Sequence, residues 1–347
     1  MKKKLFAFAA LSLAGVLLVG CGNANSVNFE KTYWDKNPSD ALVTVNEKLT
    51  YTVDFIKGTS KEELGGLASA LIGNDKLSFA LGGEKSTYTA ELTTEDGLYV
   101  YRTRLVVNGT YTFGENTYEV TGDTVETTVK FKSLKDGFAP VESVRKAVNV
   151  IPVNSAPAQK EQFVKGGYTV KTTYGGTDAR VEFFADEDEE SRSIYGELEK
   201  KYPLTVKKYS KQAYIDNDIS VLLFRTFRYN NSISYTFGSV EPIAGELKTV
   251  VGSTVDEGNK PKRTEITLAS PRLPEYGSPN TLAFTAQGVK FSTQGDGGQT
   301  YMYAYYAIAG KGETEDSENK TRRYPLKIFQ RAIHNTGYFV FTLSSAE

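Results

Sequence analysis

The sequence predicts a mainly β protein: antiparallel meander sheets, strongly curved or arranged as two β lobes, with about two α-helices packed on them. Three observations predict this class. The 347 residues include 22 Tyr and 19 Phe against 2 Met and 1 His, and aromatic residues, like β-branched ones, favour pleated, half-buried surfaces. Apolar and polar residues alternate in many short segments, which is the period of a strand. Turn signals built from Gly, Asn and Asp separate these segments.

The first elements lie between residues 48 and 74. Leu49, Tyr51, Val53 and Phe55 alternate with polar neighbours and predict a strand. A helix is expected over residues 60–71, because Ser and Glu stand there at capping-box spacing ahead of apolar residues that recur at helical spacing.

Residues 76–134 predict an antiparallel meander. Between strands such as 99–107, 110–113 and 124–131, turns are expected at Gly82-Gly83, Glu95-Asp96-Gly97, Asn108-Gly109, Gly114-Glu115-Asn116 and Thr121-Gly122-Asp123. Asn-Gly is the strongest of these signals, because both residues tolerate the positive φ of a type I′ hairpin turn. Tight links of this kind join antiparallel neighbours.

Residues 152–162, rich in Pro and small polar residues, are the best internal break and fit either a linker or a long surface loop. We therefore assign an export signal to residues 1–20, a lipidated tether and entry segment to 21–45, an N-terminal antiparallel β region to 46–153, and a C-terminal β-rich region to 163–347.

The C-terminal region is expected to contain many strands and one helix. The helix is expected over residues 186–201, where acids come first and basic residues last, an order that suits the helix dipole. Residues 219–227 are apolar on both faces and predict a central, covered strand. Further strands are expected at residues 168–174, 180–184, 233–237, 247–251, 263–268, 282–286, 300–308, 326–332 and 338–343.

The first 21 residues have the parts of an export leader. Three lysines are followed by an uncharged apolar run over residues 5–19, which is short for a membrane span. Leu18-Val19-Gly20-Cys21 then resembles the lipobox of bacterial lipoproteins. The resemblance covers only this leader and implies that the Cys21 sulfur receives a diacylglyceryl group and that a peptidase cuts before Cys21. Two acyl chains hold a protein stably on a bilayer. The alternative is an ordinary secretory signal with Cys21 as a free thiol.

Charge and cysteine content exclude several classes of partner and site. Removal of residues 1–20, whose only charges are three lysines, leaves 38 basic and 42 acidic residues and a formal charge of −4. This balance gives no electrostatic footprint for nucleic acid. With Cys21 as the only cysteine, no disulfide forms within the chain and no cysteine zinc site is expected.

The search for catalytic motifs is negative. His334 is the sole histidine, it stands in a predicted hairpin loop, and no G-x-S-x-G motif accompanies it. Gly295 to Gly298 lack the spacing that cradles phosphate, and we expect no cofactor or metal. The acidic residues 186–190, with Glu197, approach the spacing of a calcium loop, but Ser191 stands where that loop needs Gly, so a helix start is the better interpretation.

The one positive feature is aromatic. Tyr301, Tyr303 and Tyr305 alternate on one face of a predicted strand. An exposed ladder of this kind stacks on sugar rings or lines a cleft for an apolar ligand, and these three residues are the candidate ligand-binding site. Ordinary cross-strand packing is the alternative.

Three functions follow. The leading hypothesis is a non-enzymatic lipoprotein on the extracytoplasmic face of the cell envelope that binds an apolar or glycan ligand, or an envelope protein. The rivals are a structural or adhesion module and a carboxylate-dependent hydrolase of envelope glycans. A curved sheet with a helix over its concave face would look like the clam-shaped carriers among bacterial lipoproteins, a likeness of architecture alone.

Overall fold

The structure is a computed structural model that describes residues 43, 45–57, 77–134, 137–155, 160–208, 214–227, 229, 231–258, 260–294, 300–310, 322–332 and 336–347, with the backbone alone at 152–155 and 160–162. The leader with Cys21, the helix expected at 60–71, Gly295 to Gly298 and His334 lie outside the described residues.

The described residues form a mainly β structure with two short α-helices, as predicted. The strands are β1 (Glu47–Lys57), β2 (Leu77–Leu81), β3 (Thr87–Glu95), β4 (Leu98–Phe113), β5 (Asn116–Leu134), β6 (Gly137–Ser155), β7 (Lys160–Tyr174), β8 (Asp178–Ala185), β9 (Leu204–Lys207), β10 (Ser234–Glu241), β11 (Glu246–Thr254), β12 (Asp256–Glu257), β13 (Lys260–Pro261), β14 (Arg263–Ala269), β15 (Thr281–Thr293), β16 (Thr300–Gly310), β17 (Pro325–Arg331) and β18 (Gly337–Ala346). The helices are α1 (Glu189–Glu199), a 3₁₀ turn (Asn217–Ile219) and α2 (Ser220–Phe224).

Sixteen of these strands form one antiparallel sheet, so the curved-sheet form of the prediction is the one observed. Its order is β10-β11-β15-β16-β17-β18-β1-β3-β4-β5-β6-β7-β8-β9, with β14 beside β15 and β2 beside β4. The first and last strands of the chain, β1 and β18, pair in the middle of this order.

The sheet curves until its two edges nearly meet. From the segment between α1 and β9, the Tyr202 hydroxyl donates to the carbonyls of Pro242 and Ile243, which follow β10, at 2.7 and 2.8 Å. Near the same edge, the backbone N–H of Ile215 donates to Gly238 O of β10 at 2.9 Å. The concave face is therefore the interior of a nearly closed sheet.

Two predicted turns are instead bulges inside long strands. The prediction of a hairpin at Asn108-Gly109 is wrong, because these residues continue β4. The register of β4 against β5 shifts between Val107 and Gly109. The turn expected at residues 121–123 is wrong too, because β5 runs through it with Gly122 at φ +65°. The Asn108 side-chain oxygen accepts from Gly122 N at 2.7 Å. Gly and Asn supply positive φ or local hydrogen bonds at bulges as readily as at turns, and a bulge bends a long strand.

The hairpin expected at residues 95–97 is confirmed. Asp96 and Gly97 link β3 to β4 with φ of 50° and 76°, and two consecutive positive φ values are what a type I′ turn requires.

The strand predicted over residues 219–227 is also wrong, because this apolar run forms α2 and the turns beside it. All five α2 residues are buried. A helix that is apolar all round belongs in an interior, and periodicity alone does not separate it from a covered strand. The Asp216 carboxylate starts this segment by accepting from Asp218 N at 2.9 Å.

Helix α1 confirms the helix predicted at residues 186–201. Asp188 caps it, with its carboxylate accepting from the Ser191 backbone N–H at 2.7 Å and from the Ser191 hydroxyl at 2.6 Å. These bonds place the acidic run at a helix start and not in a calcium loop. Tyr195 packs on Phe183 and Tyr168, with ring centres 5.9 and 4.9 Å apart.

Strands β6 and β7 extend from both sides into the predicted break at residues 152–162. They pair from Glu142 with Thr173 to Ser155 with Lys160. The sheet therefore continues across the break as a long hairpin, while the division into regions 46–153 and 163–347 stays a prediction.

Candidate functional site

The interior of the sheet holds a cavity with two lobes. The larger lobe has a volume of about 530 Å³ and lies between β6 and β7 on one side and β10, β11 and the end of β17 on the other. The smaller lobe, about 240 Å³, lies against β4 and β5. Both lobes are lined by the same six residues, which we call the waist: Arg145, Asn217, Asp218, Gln330, Arg331 and Ala332.

An ion pair crosses the waist. The Arg145 guanidinium donates through Nη2 to Asp218 Oδ1 at 2.6 Å. Arg145 lies on β6 opposite Thr127 and Val170, so it faces the interior with these neighbours. Asp218 holds the pKa of Arg145 above its ordinary value. Since 34 % of the Arg145 side-chain surface is accessible and the side chain lines both lobes, the guanidinium is presented to the cavity.

Three consecutive polar residues at the start of the 3₁₀ turn, Asp216, Asn217 and Asp218, line the larger lobe. Asn217 Oδ1 accepts from the Tyr301 hydroxyl at 2.6 Å. The Asp216 carboxylate accepts from the Tyr174 hydroxyl at 2.5 Å. Burial, followed by repulsion from Asp218, raises the pKa of Asp216. The two carboxylates therefore have different environments: Asp218 pairs with the Arg145 guanidinium, whereas Asp216 accepts from Tyr174 and has a raised pKa.

Basic and acidic side chains are equal in number on the wall of the larger lobe. Among the described residues that line it, the cations are Arg145, Lys248 and Arg331, and the carboxylates are Asp216, Asp218 and Glu241. Lys248 Nζ lies 3.0 Å from Glu241 Oε2. A ligand in this lobe meets hydrogen-bonding groups and as many basic as acidic side chains.

The smaller lobe is more apolar. Its wall includes Leu105, Val107, Tyr111, Val120 and Phe339. Burial raises the pKa of the Tyr111 hydroxyl to about 12, with the Asp123 charge as a second cause. Asp123 itself is held by Lys165 at 3.2 Å and by the Val150 backbone N–H at 2.6 Å. This lobe suits an apolar or aromatic group.

The buried polar atoms beside the cavity that lack a hydrogen-bond partner include Arg145 Nε, a donor, and Asn149 Oδ1, an acceptor. Both residues line the smaller lobe. They stand four positions apart on one face of β6, so their Cα atoms lie about 13 Å apart. Buried polar groups are rarely left unpaired, so a ligand with both an acceptor and a donor would complete this wall.

The structure separates the three tyrosines of the predicted ladder. A register shift between Phe291 and Ser292 of the partner strand falls beside Tyr301, whose side chain lines the larger lobe. Tyr303 and Tyr305 instead pack on each other, with ring centres 5.0 Å apart, and on Phe329. Binding by these residues stays a prediction, and Tyr301 is the member that the cavity includes.

Sequence reasoning missed Arg145, Asn149 and the 3₁₀ turn. Arg145 and Asn149 look like ordinary polar residues of an alternating strand, and nothing in the sequence shows that they face inward. The Asp-Asn-Asp run at 216–218 carried a usable signal, because Asp before an apolar run marks a helix start.

The described residues contain no group of three or more His, Cys, Asp or Glu side chains placed to hold a metal ion. In the same part of the chain, no helix has the length and apolar character needed to cross a membrane.

The raised pKa of Asp216 gives a testable pH dependence. Because ionising this carboxyl is harder in the folded state, its contribution to stability is present below pH about 3.8 and is lost as the pH rises through the raised value. Asp216→Asn removes that loss. We expect the free energy of unfolding of Asp216→Asn, relative to that of the native chain, to rise as the pH increases above about 3.8.

Urea unfolding of both chains across this range measures the difference. Glu119→Gln, at an exposed position of β5, controls for the change in net charge. Parallel curves for Asp216→Asn and the native chain would contradict the assignment.

Comparisons of the chain with protein-family models, with curated proteins and with solved structures found no match.

Proposed function

We propose that this protein is a non-enzymatic, lipid-anchored binding protein of the cell envelope that takes a small ligand into the two-lobed cavity. The observation that carries the proposal is the cavity itself, with Arg145 Nε and Asn149 Oδ1 unpaired in its wall. Ligand sites have volumes of about 300–1,000 Å³ and place a few polar groups among apolar ones. The larger lobe, at about 530 Å³, falls in that range, and the smaller lobe of about 240 Å³ adjoins it at the waist.

A cavity-filling variant tests the binding site. Val125 lines the smaller lobe, and Val125→Trp places an indole in that space. We expect ligand affinity to fall at least about tenfold with little change in thermal midpoint, because a large side chain destabilises a packed core but not an open cavity.

The ligand is first identified by native mass spectrometry of protein released from its own cells. The matched control is Thr128→Trp on the outward-facing side of β5, between exposed Glu126 and half-buried Lys130. Equal affinity in both variants, or protein that never carries or takes up a ligand, would end the proposal.

The anchor is supported by the leader, whose Leu18-Val19-Gly20-Cys21 resembles a lipobox. We expect Cys21→Ser to move the protein from the membrane fraction to the medium, because two acyl chains provide the stable attachment. Intact-mass analysis of the native protein should show the added lipid. An unmodified Cys21 thiol would contradict the anchor and leave the binding proposal standing.

A hydrolase is the second candidate, because Asp216 and Asp218 share the larger lobe and their environments differ. Such a pair is what acid and base roles need. It is the weaker candidate, because Tyr174 and Arg145 already occupy the two carboxylates. Turnover of envelope glycans that Asp216→Asn and Asp218→Asn each abolish would favour it over the binding protein. A structural or adhesion module would instead leave the cavity without a ligand.

A further inference from the structure

The chemistry of the cavity wall narrows the ligand class. Charges on the larger lobe are matched in number and partly paired, Arg145 with Asp218 at 2.6 Å and Lys248 with Glu241 at 3.0 Å. An ionic ligand group would lose part of its hydration and compete with the carboxylates or cations that are already in place, and a charge that is desolvated without a partner is costly. The wall therefore disfavours both anions and cations.

The unpaired atoms point to a neutral polar group. Arg145 Nε needs an acceptor and Asn149 Oδ1 needs a donor. A hydroxyl group supplies both functions, and an amide supplies both with two atoms. A ligand with several hydroxyls can reach both positions on β6, whereas a simple ether or ester offers no donor.

The smaller lobe adds an apolar requirement. Leu105, Val107 and Val120 line it beside Tyr111 and Phe339. Arg145 and Asn149 border this same lobe, so one molecule can meet the two unpaired atoms and the apolar wall together.

We propose that the cavity selects an uncharged amphiphile: a hydroxyl-rich group, such as a sugar, that pairs with Arg145 Nε and Asn149 Oδ1, joined to an apolar chain or ring. The inference rests on the proposed binding function and names its ligand class. Arg145 and Asn149 are specificity-determining residues, because they select the head group of the ligand.

The test compares amphiphiles that share a tail and differ in head group. The full chain carrying Cys21→Ser, which has no attached acyl chain to enter the cavity, is titrated calorimetrically with octyl glucoside, octanoate and octyltrimethylammonium below micelle formation. Glucose is the control without a tail. We expect octyl glucoside to bind at least about tenfold more tightly than each of the other three.

Two variants separate recognition from stability. Asn149→Leu removes the unpaired acceptor, so the thermal midpoint should stay level or rise while octyl glucoside affinity falls about tenfold. Arg145→Lys keeps a cation beside Asp218 and removes Nε, and a similar loss of affinity is expected. Thr128→Leu, on the outward-facing side of β5, should leave affinity unchanged.

The outcomes discriminate between the two proposals. Tighter binding of octanoate or octyltrimethylammonium would overturn the neutral class and keep the binding function. Equal affinities for glucose and octyl glucoside would show that the apolar tail adds nothing and would overturn the proposal that the ligand is an amphiphile. Unchanged affinity in both Asn149→Leu and Arg145→Lys would overturn their role. Failure of all four probes, together with no ligand carried from the cell, would remove the inference and the proposed function together.

Discussion

Arg225→Met is expected to lower the free energy of unfolding by about 3–5 kcal/mol, because it leaves the Glu47 carboxylate buried without its cation. The Arg225 guanidinium contacts both oxygens of Glu47, at 2.5 and 3.2 Å, and donates through Nε to Arg323 O at 2.8 Å. Both side chains of the pair are only 3 % exposed. The pair joins β1 to the segment that follows α2, and Arg225 also bonds the residues just before β17.

Urea denaturation with an unchanged m-value measures this loss. The exposed pair of Arg104 with Glu126, at 2.7 Å and with side chains 57 % and 48 % exposed, is the matched control. Arg104→Met should cost less than about 1 kcal/mol. The double variant Glu47→Leu with Arg225→Met should be more stable than Arg225→Met alone, since it leaves no buried charge. Equal losses for Arg225→Met and Arg104→Met would contradict the buried pair.

Phe224→Ala is the second large effect, with an expected loss of about 3–5 kcal/mol from the cavity that it opens. Phe224 is fully buried in α2, and its ring centre lies 4.7 Å from that of Phe227 and 4.9 Å from that of Phe291 on β15. Every residue of α2 is buried, so these ring contacts are what hold the helix inside the sheet. Thermal or urea unfolding measures the loss.

The same residue type on the surface is the control. Phe184 is 47 % exposed, and Phe184→Ala should cost less than about 1 kcal/mol. A loss from Phe224→Ala as small as that would show that α2 does not pack in the interior.

A glycine of β11 provides an independent check on this packing. A Cβ on Gly252 would lie 2.1 Å from Phe224 Cζ, so Gly252→Ala alone should destabilise by about 1–3 kcal/mol. Combined with Phe224→Leu, it should cost less than the sum of the two single variants, because they compete for one space. Strict additivity would count against the contact.

Local sequence patterns predicted most strands of the sheet. Alternation gave β1, and the order of charges indicated α1 before any packing was known. These features are local, since each depends on residues that are neighbours along the chain. The same signals failed where two structures share one local pattern. Asn108-Gly109 suits a bulge as well as a turn, and the apolar residues of α2 suit a covered strand as well as an interior helix.

Local sequence patterns could not predict the candidate site. Arg145 and Asp218 are 73 residues apart, and they meet because the curved sheet brings β6 over the 3₁₀ turn. The separation of Tyr301 from Tyr303 and Tyr305 likewise depends on a register shift against the neighbouring strand.

The sequence by itself determined the β class, the positions of most strands and α1, because alternation, charge order and turn residues act over a few positions. Only the tertiary structure decided that the strands form one nearly closed sheet, that α2 fills its interior, and that Arg145 and Asn149 border a cavity. Those features arise from the twist and curvature of many strands together, and no single segment carries that information.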